Sequence, residues 1–186
     1  HLKILRLLFK VFKINGARFN NQTVFNERSS FKLRLKHMVV VLFFMLQLVI
    51  PFRYLFYPGE LFWTEEGYRF SWRVMLMEKS GYAQFKIVDQ ESGRWFYVDN
   101  TDFITPFQEK QMAFQPDFIL EYAHFLKNHF EEDGHKNVQV FVNCQVSLNG
   151  RLSTEFIDPT IDLAKQRESF LHKHWITPFK DEIKGI

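Results

Sequence analysis

The stretch Val138-Gln139-Val140-Phe141-Val142-Asn143-Cys144-Gln145-Val146-Ser147-Leu148 decides the fold class. Val138, Val140, Val142, Cys144, Val146 and Leu148 alternate with a second set that is polar apart from Phe141. Successive side chains of a strand point to opposite faces, so this period of two predicts a strand with one buried face. Asn149-Gly150 follows at once and predicts a hairpin turn into a return strand over Arg151–Ile157. Working outward, Ala83–Asp89 and Arg94–Val98 flank the turn-forming Gln90-Glu91-Ser92-Gly93 and predict a second hairpin. Between the hairpins, Pro116–Phe130 predicts a helix with Phe118, Ile119, Tyr122, Phe125 and Leu126 on one face. Pro116 suits a helix start, and Gly134 lies just past the end. A last segment, Pro159–Trp175, is expected to be helical in part. Residues 59–186 therefore predict an α+β domain with β-hairpins.

The N-terminal third is of another kind. Residues 38–50, Met-Val-Val-Val-Leu-Phe-Phe-Met-Leu-Gln-Leu-Val-Ile, carry no charge, and the apolar run extends to Tyr57. From His37 it is long enough to cross a hydrocarbon core, which takes roughly 20 residues. A buried helix of a soluble domain is the plainer alternative, and the flanks decide against it. Residues 1–36 hold nine Lys/Arg against Glu27, a net +8, while residues 37–186 carry −5. Arg28, Lys32, Arg34 and Lys36 precede the run, and Glu60, Glu65 and Glu66 follow it. Positive charge stays on the cytoplasmic side, so a transmembrane helix over 37–58 would put residues 59–186 outside the cytoplasm, in a periplasmic or lumenal space. Arg53, near the end of the run, can snorkel outward, and Tyr54, Tyr57 and Trp63 suit an interfacial belt. Lys3, Arg6, Lys10 and Lys13 share one arc of a helical projection, which makes residues 1–14 of the basic 1–36 arm an amphipathic segment suited to an anionic bilayer, or the basic end of a preceding span. The bilayer is the expected partner of this arm, and no nucleic-acid partner is expected.

The 186 residues, 46% hydrophobic, exclude a disordered tail, and the single Cys144 excludes an internal disulfide. Cys144 lies on the apolar side of its strand and reads as core. His172-Lys173-His174 lacks a third ligand in a fixed frame, and His124 and His129 do not share a helix face, so no metal site is expected. No glycine-rich phosphate loop and no nucleophile elbow is present. Adjacent Glu65 and Glu66 read as solvated. The densest cluster is Leu61-Phe62-Trp63-Thr64-Glu65-Glu66-Gly67-Tyr68-Arg69-Phe70-Ser71-Trp72-Arg73. It can anchor in headgroups, or it can line a pocket in which aromatics give shape and Arg, Ser and Tyr hydrogen-bond a carboxylate.

An apolar span, Pro51-Phe52-Arg53, Phe62-Trp63-Thr64 and Tyr68-Arg69-Phe70-Ser71-Trp72-Arg73-Val74-Met75-Leu76 together resemble the lumenal domain of vitamin K-dependent γ-glutamyl carboxylases. More specifically, the stretch resembles their bacterial relatives, which carry an HTTM-type membrane domain. It continues through Phe103-Ile104-Thr105, Tyr122-Ala123, Val146–Arg151, Phe156-Ile157-Asp158-Pro159 and Asp162, so it covers about residues 38–178.

The resemblance implies the C-terminal part of an integral membrane lyase that carboxylates glutamate in a protein or peptide. Its co-substrates would be vitamin K hydroquinone (or menaquinol), oxygen and carbon dioxide, with quinone epoxidation supplying the strong base. A water-poor aromatic pocket at the bilayer surface suits such chemistry. The family's Tyr-x-x-Ser-Trp pattern falls on Tyr68, Ser71 and Trp72, which implies contact with the glutamate or the quinone, and Lys110 matches a basic substrate-contact position. The family's catalytic lysine belongs to a segment upstream, so no catalytic residue is expected here, and the chain alone is expected to be inactive. Met77 stands where the vertebrate pattern has histidine, and Arg69 and Arg73 also differ from that pattern. The alternative is a membrane-anchored, extracytoplasmic protein-binding module without chemistry.

Overall fold

The computed structural model describes residues 27–73 and 76–181, with side chains from Arg34 onward. The arm expected to be amphipathic over residues 1–14 lies outside the described residues. The chain divides into two units between Phe44 and Met45.

Helix α1, Glu27–Val49, carries the apolar run and continues as a 3-10 turn over Ile50–Phe56. The change of pitch falls at Pro51, which has no N–H for the α-helical ladder and crowds the residue before it. Arg34–Phe56 is long and apolar enough to cross a membrane, with a mean hydropathy of 2.1. Its side chains are largely exposed, unlike those of a soluble core helix.

In the second unit the sheet order is β2-β1-β3-β4, all antiparallel. Strand β1 is Lys79–Asp89 and β3 is Val138–Leu148, and they pair over their full length from Lys79 opposite Leu148 to Asp89 opposite Val138. Strand β2, Trp95–Tyr97, pairs with β1 at one edge, and β4, Thr154–Glu155, pairs with β3 at the other. Ala83, Phe85 and Ile87 join the alternate residues of β3 on the covered face. A short helix α2 spans Leu61–Thr64. Helix α3, Pro106–Met112, starts at a capping box made by Thr105 and Gln108. Helix α4, Pro116–Glu132, supplies Ile119, Leu120, Ala123 and Leu126 to the core.

Several expectations need correction. Asn149-Gly150 makes its expected turn, with φ of +50° and +74° and the Arg151 N–H donating to Leu148 O at 3.1 Å, but the return strand over Arg151–Ile157 is only two residues long, Thr154–Glu155. Asn149 also ties down the start of β1, accepting from the Glu78 N–H through Oδ1 at 2.7 Å and donating its own N–H to Glu78 O. Phe156 still donates its N–H to Cys144 O at 2.9 Å while its ring enters the core, and Ile157, also buried, bridges Ile176. Phe118 and Phe125 lie at the margins of the α4 stripe and stay half exposed. Within 159–175 the helical content is one 3-10 turn, Leu163–Lys165.

Candidate functional site

The chain between α2 and β1 has unusual backbone. Glu65, Phe70 and Trp72 all adopt φ near +60°, as does Gly67 at +75°. Left-handed backbone at three non-glycine residues within eight positions is strain, and strain persists where surrounding contacts hold it. Gly67 is needed because a Cβ there would meet the Tyr54 backbone at 2.7 Å.

This loop is braced by buried charge. The Lys79 ammonium donates to Trp63 O at 2.6 Å and to Glu65 Oε1 at 2.8 Å. Burial holds the Lys79 pKa below its ordinary 10.5, against the pull of Glu65. Glu66 is 5% exposed and meets His172 Nδ1 at 2.8 Å while accepting the Lys173 N–H. The expectation that Glu65 and Glu66 are solvated is thus overturned: each is drawn inward by a cation or a fixed donor. The Glu66–His172 pair spans 106 residues and left no local trace in the sequence.

A cavity of about 190 Å³ opens beside these groups. Glu65, Glu66, Arg69 and Phe70 wall it on one side, Ser169, Phe170 and Lys173 on another, with Arg53 and Asp117 completing it. Arg69 pairs with Asp117 and Lys173 with Glu168. The three residues singled out in the loop do not line this cavity. Tyr68 packs edge-on against Phe62 at 6.1 Å, and its hydroxyl pKa is raised by burial and then by Glu65. Ser71 is buried with its hydroxyl unpartnered. Trp72 is 69% exposed. Lys110 is exposed on α3. The structure therefore brings Tyr68, Ser71 and Trp72 into one strained loop and sets Lys110 on a separate helix.

A second opening, an aromatic groove of about 510 Å³, lies between α3 and α4 and was not foreseen. Phe103, Phe107, Phe118 and Phe125 form most of its wall, with Met112 and Tyr122. The Tyr122 hydroxyl is buried without a partner, and burial, followed by Glu109, pushes its pKa up to about 12. Adjacent residues in the first turn of α4 line the two openings, Asp117 the cavity and Phe118 the groove. The half-exposed Phe118 and Phe125 were the sequence signal, since both sit in the apolar stripe of a helix that the sheet alone cannot cover.

Other candidates reduce to structure. The Cys144 thiol donates to Ala113 O at 3.2 Å, and burial pushes its pKa up to about 12, so it is core. His124 Nε2 meets Gln166 O at 2.8 Å. Among the described residues no group of three or more His, Cys, Asp or Glu could hold a metal ion.

No solved structure matches the chain. A family model for the vitamin K-dependent gamma-carboxylase lumenal domain matches residues 32–182. That span takes in most of α1, the strained loop, the sheet and both openings, and the vitamin K dependence is carried in the family's name. With well over half its length matched, the chain belongs to the vitamin K-dependent gamma-carboxylase lumenal domain family.

Proposed function

We propose that the chain is the extracytoplasmic part of a membrane carboxylase that converts glutamate in a protein or peptide to γ-carboxyglutamate, anchored by the Arg34–Phe56 span. The observation that carries this reading is the family match over residues 32–182. Reduced vitamin K, with oxygen, would supply a base strong enough to remove a proton from the glutamate γ-carbon, which no ordinary side chain can do, and carbon dioxide would be the second co-substrate. The aromatic groove fits such a group on two counts: its walls are apolar and roomy, and the orphaned Tyr122 hydroxyl wants a hydrogen-bond partner. Phe103, Phe107, Phe118, Tyr122 and Phe125 would hold the ring system and keep water from it. Tyr68, Ser71 and Trp72 would position the acceptor glutamate, with the exposed Trp72 ring lying against the peptide. Lys110 would contact the acceptor from α3, the helix that also supplies Phe107 and Met112 to the groove.

The test uses the full-length gene product in nanodiscs with reduced vitamin K, oxygen, labelled bicarbonate and a glutamate-rich peptide. Epoxide formation and label fixation are recorded separately, and both are expected. Epoxide without fixed label would remove glutamate as acceptor, and neither product from folded protein would reduce the likeness to one of fold. Trp72→Ala is expected to abolish turnover with expression unchanged, and normal turnover in that variant would defeat the loop assignment. The rival reading, a binding module without chemistry, is favoured by the exposed Trp95 and Tyr97 on the three-residue edge strand β2, and it predicts partner capture without either product.

A further inference from the structure

The acids on the wall of the 190 Å³ cavity are all engaged. Glu65 holds Lys79, Glu66 holds His172, Asp117 holds Arg69, and Glu168 holds Lys173. The cations do not close in the same way. Arg53 lies on that wall, and among the described residues its guanidinium makes no ion pair and no hydrogen bond. Its Nε is buried without a partner, and its guanidinium carbon sits 5.4 Å from the centre of the Phe170 ring. Arg53 is half-buried, and a buried Nε with no acceptor is costly, while the planar guanidinium fork is shaped for two oxygens of one anion. Ser169 adds a second donor: its oxygen accepts the Leu171 N–H at 3.2 Å, and its own proton is unspent.

We propose that this cavity is a carboxylate-binding subsite and that Arg53 is the residue that holds the carboxylate. Size and charge both select that ligand. About 190 Å³ admits one short acidic side chain. Among the described residues Arg53 is the cation on this wall without an ion pair, which suits a monoanion, because a phosphate dianion would set its second charge against four neighbouring carboxylates. Under the carboxylase reading, on which the identity of the ligand rests, the group held is the γ-carboxylate of the acceptor glutamate. A cation there also favours loss of the γ-proton, since the negative charge that develops spreads onto the carboxylate oxygens.

Titration calorimetry on the full-length protein in nanodiscs tests this with N-acetyl-glutamate amide, its glutamine counterpart and inorganic phosphate. The glutamate compound is expected to bind at least tenfold tighter than the glutamine compound, with phosphate failing to displace it. Arg53→Gln should erase that preference, and Arg53→Lys should restore part of it, both at an unchanged thermal midpoint. Equal affinity of the unaltered protein for the glutamate and glutamine compounds overturns the proposal without recourse to a variant. So does a preference that survives in folded Arg53→Gln, or tighter binding of phosphate. Label fixation is read on the same samples. Binding without fixation sinks the carboxylase reading and leaves the subsite, whereas fixation with an unchanged KM in Arg53→Gln sinks the subsite and leaves the carboxylase.

Discussion

The sheet with its helix and the irregular segments 57–73 and 156–179 bury their aromatic residues by opposite means. In β1, β3 and α4 burial follows period: every second residue of the strands, one stripe of the helix. The irregular segments have little repeating structure, yet Phe62, Trp63, Phe156 and Trp175 are among the most buried side chains described. Single contacts hold them. The Trp63 indole N–H donates to Thr177 O at 2.7 Å, and its ring meets Phe156 edge-on at 4.9 Å. A ladder satisfies backbone groups by repetition, whereas irregular backbone needs side chains to do so one at a time. Buried Glu66 accepting from the Lys173 N–H is such a case. The lesson is that the irregular part can hold left-handed backbone, which a ladder excludes, together with buried charge, which β1 admits only at its ends in Lys79 and Asp89, and the candidate site lies there for that reason.

The largest expected effects test whether these two parts stand or fall together. Phe85→Ala in β1 and Trp63→Ala in α2 each empty a fully packed site and should cost about 3–5 kcal/mol in chemical denaturation. Hydrogen exchange separates them. Phe85→Ala should lower protection throughout the sheet, since Phe85 packs edge-on against Tyr122 of α4 at 5.0 Å. Trp63→Ala should expose amides of 156–179 while β1 and β3 keep theirs. A uniform loss of protection in Trp63→Ala would break the comparison and make the two parts one cooperative unit.

The same contrast explains what could be read from sequence. The strand Val138–Leu148 and the helix starting at Pro116 were legible because period alone specifies them. The Asn149-Gly150 turn was legible too, but the return strand was overread: the turn residues specify the reversal and not how far the chain beyond it stays paired, which here is Thr154–Glu155. The cluster around Trp63 to Trp72 was legible as a cluster. Its cavity was not, because Arg53, Glu66, Asp117 and Lys173 meet only through tertiary folding, and no spacing rule links positions so far apart. The pairing of Lys79 with Glu65 was likewise invisible, a buried lysine at a strand start looking like any edge charge.

Two glycines give a smaller and sharper version of the comparison. Gly67 and Gly93 have similar φ, +75° and +69°, so alanine pays a like backbone strain of about 1–2 kcal/mol at each. At Gly93 in the β1–β2 turn nothing lies within 4 Å of an added Cβ. At Gly67 the added atom would stand 2.7 Å from Tyr54 Cα, and neither backbone can yield easily. Gly67→Ala should therefore destabilise clearly more than Gly93→Ala in thermal or denaturant unfolding. Equal losses would show that the loop has slack where the contacts say it has none.

The smallest effect lies in the acid limb of stability, and it sets Asp89 at the end of β1 against Lys79 at its start. Asp89 accepts from the Ser92 side chain first and, with further bonds from the Ser92 N–H, His135 and the Glu91 N–H, is held down from 3.8 to about 2. Between about 2 and 3.8 the unfolded chain consequently binds more protons than the folded one, so stability rises with pH across that window and is lost as pH falls through it. Lys79 is displaced by burial: its folded pKa lies below 10.5, so its charged form is disfavoured in the fold, and stability rises with pH in the alkaline range up to 10.5. Asp89→Asn should remove the acid contribution. In urea unfolding between pH 2 and 6, the variant is expected to be less stable than the parent above pH 4 and to approach it near pH 2, with a flatter slope between. Parallel curves for the two proteins over that range would mean that the Asp89 bonds are no stronger in the fold than those it makes to water in the unfolded chain.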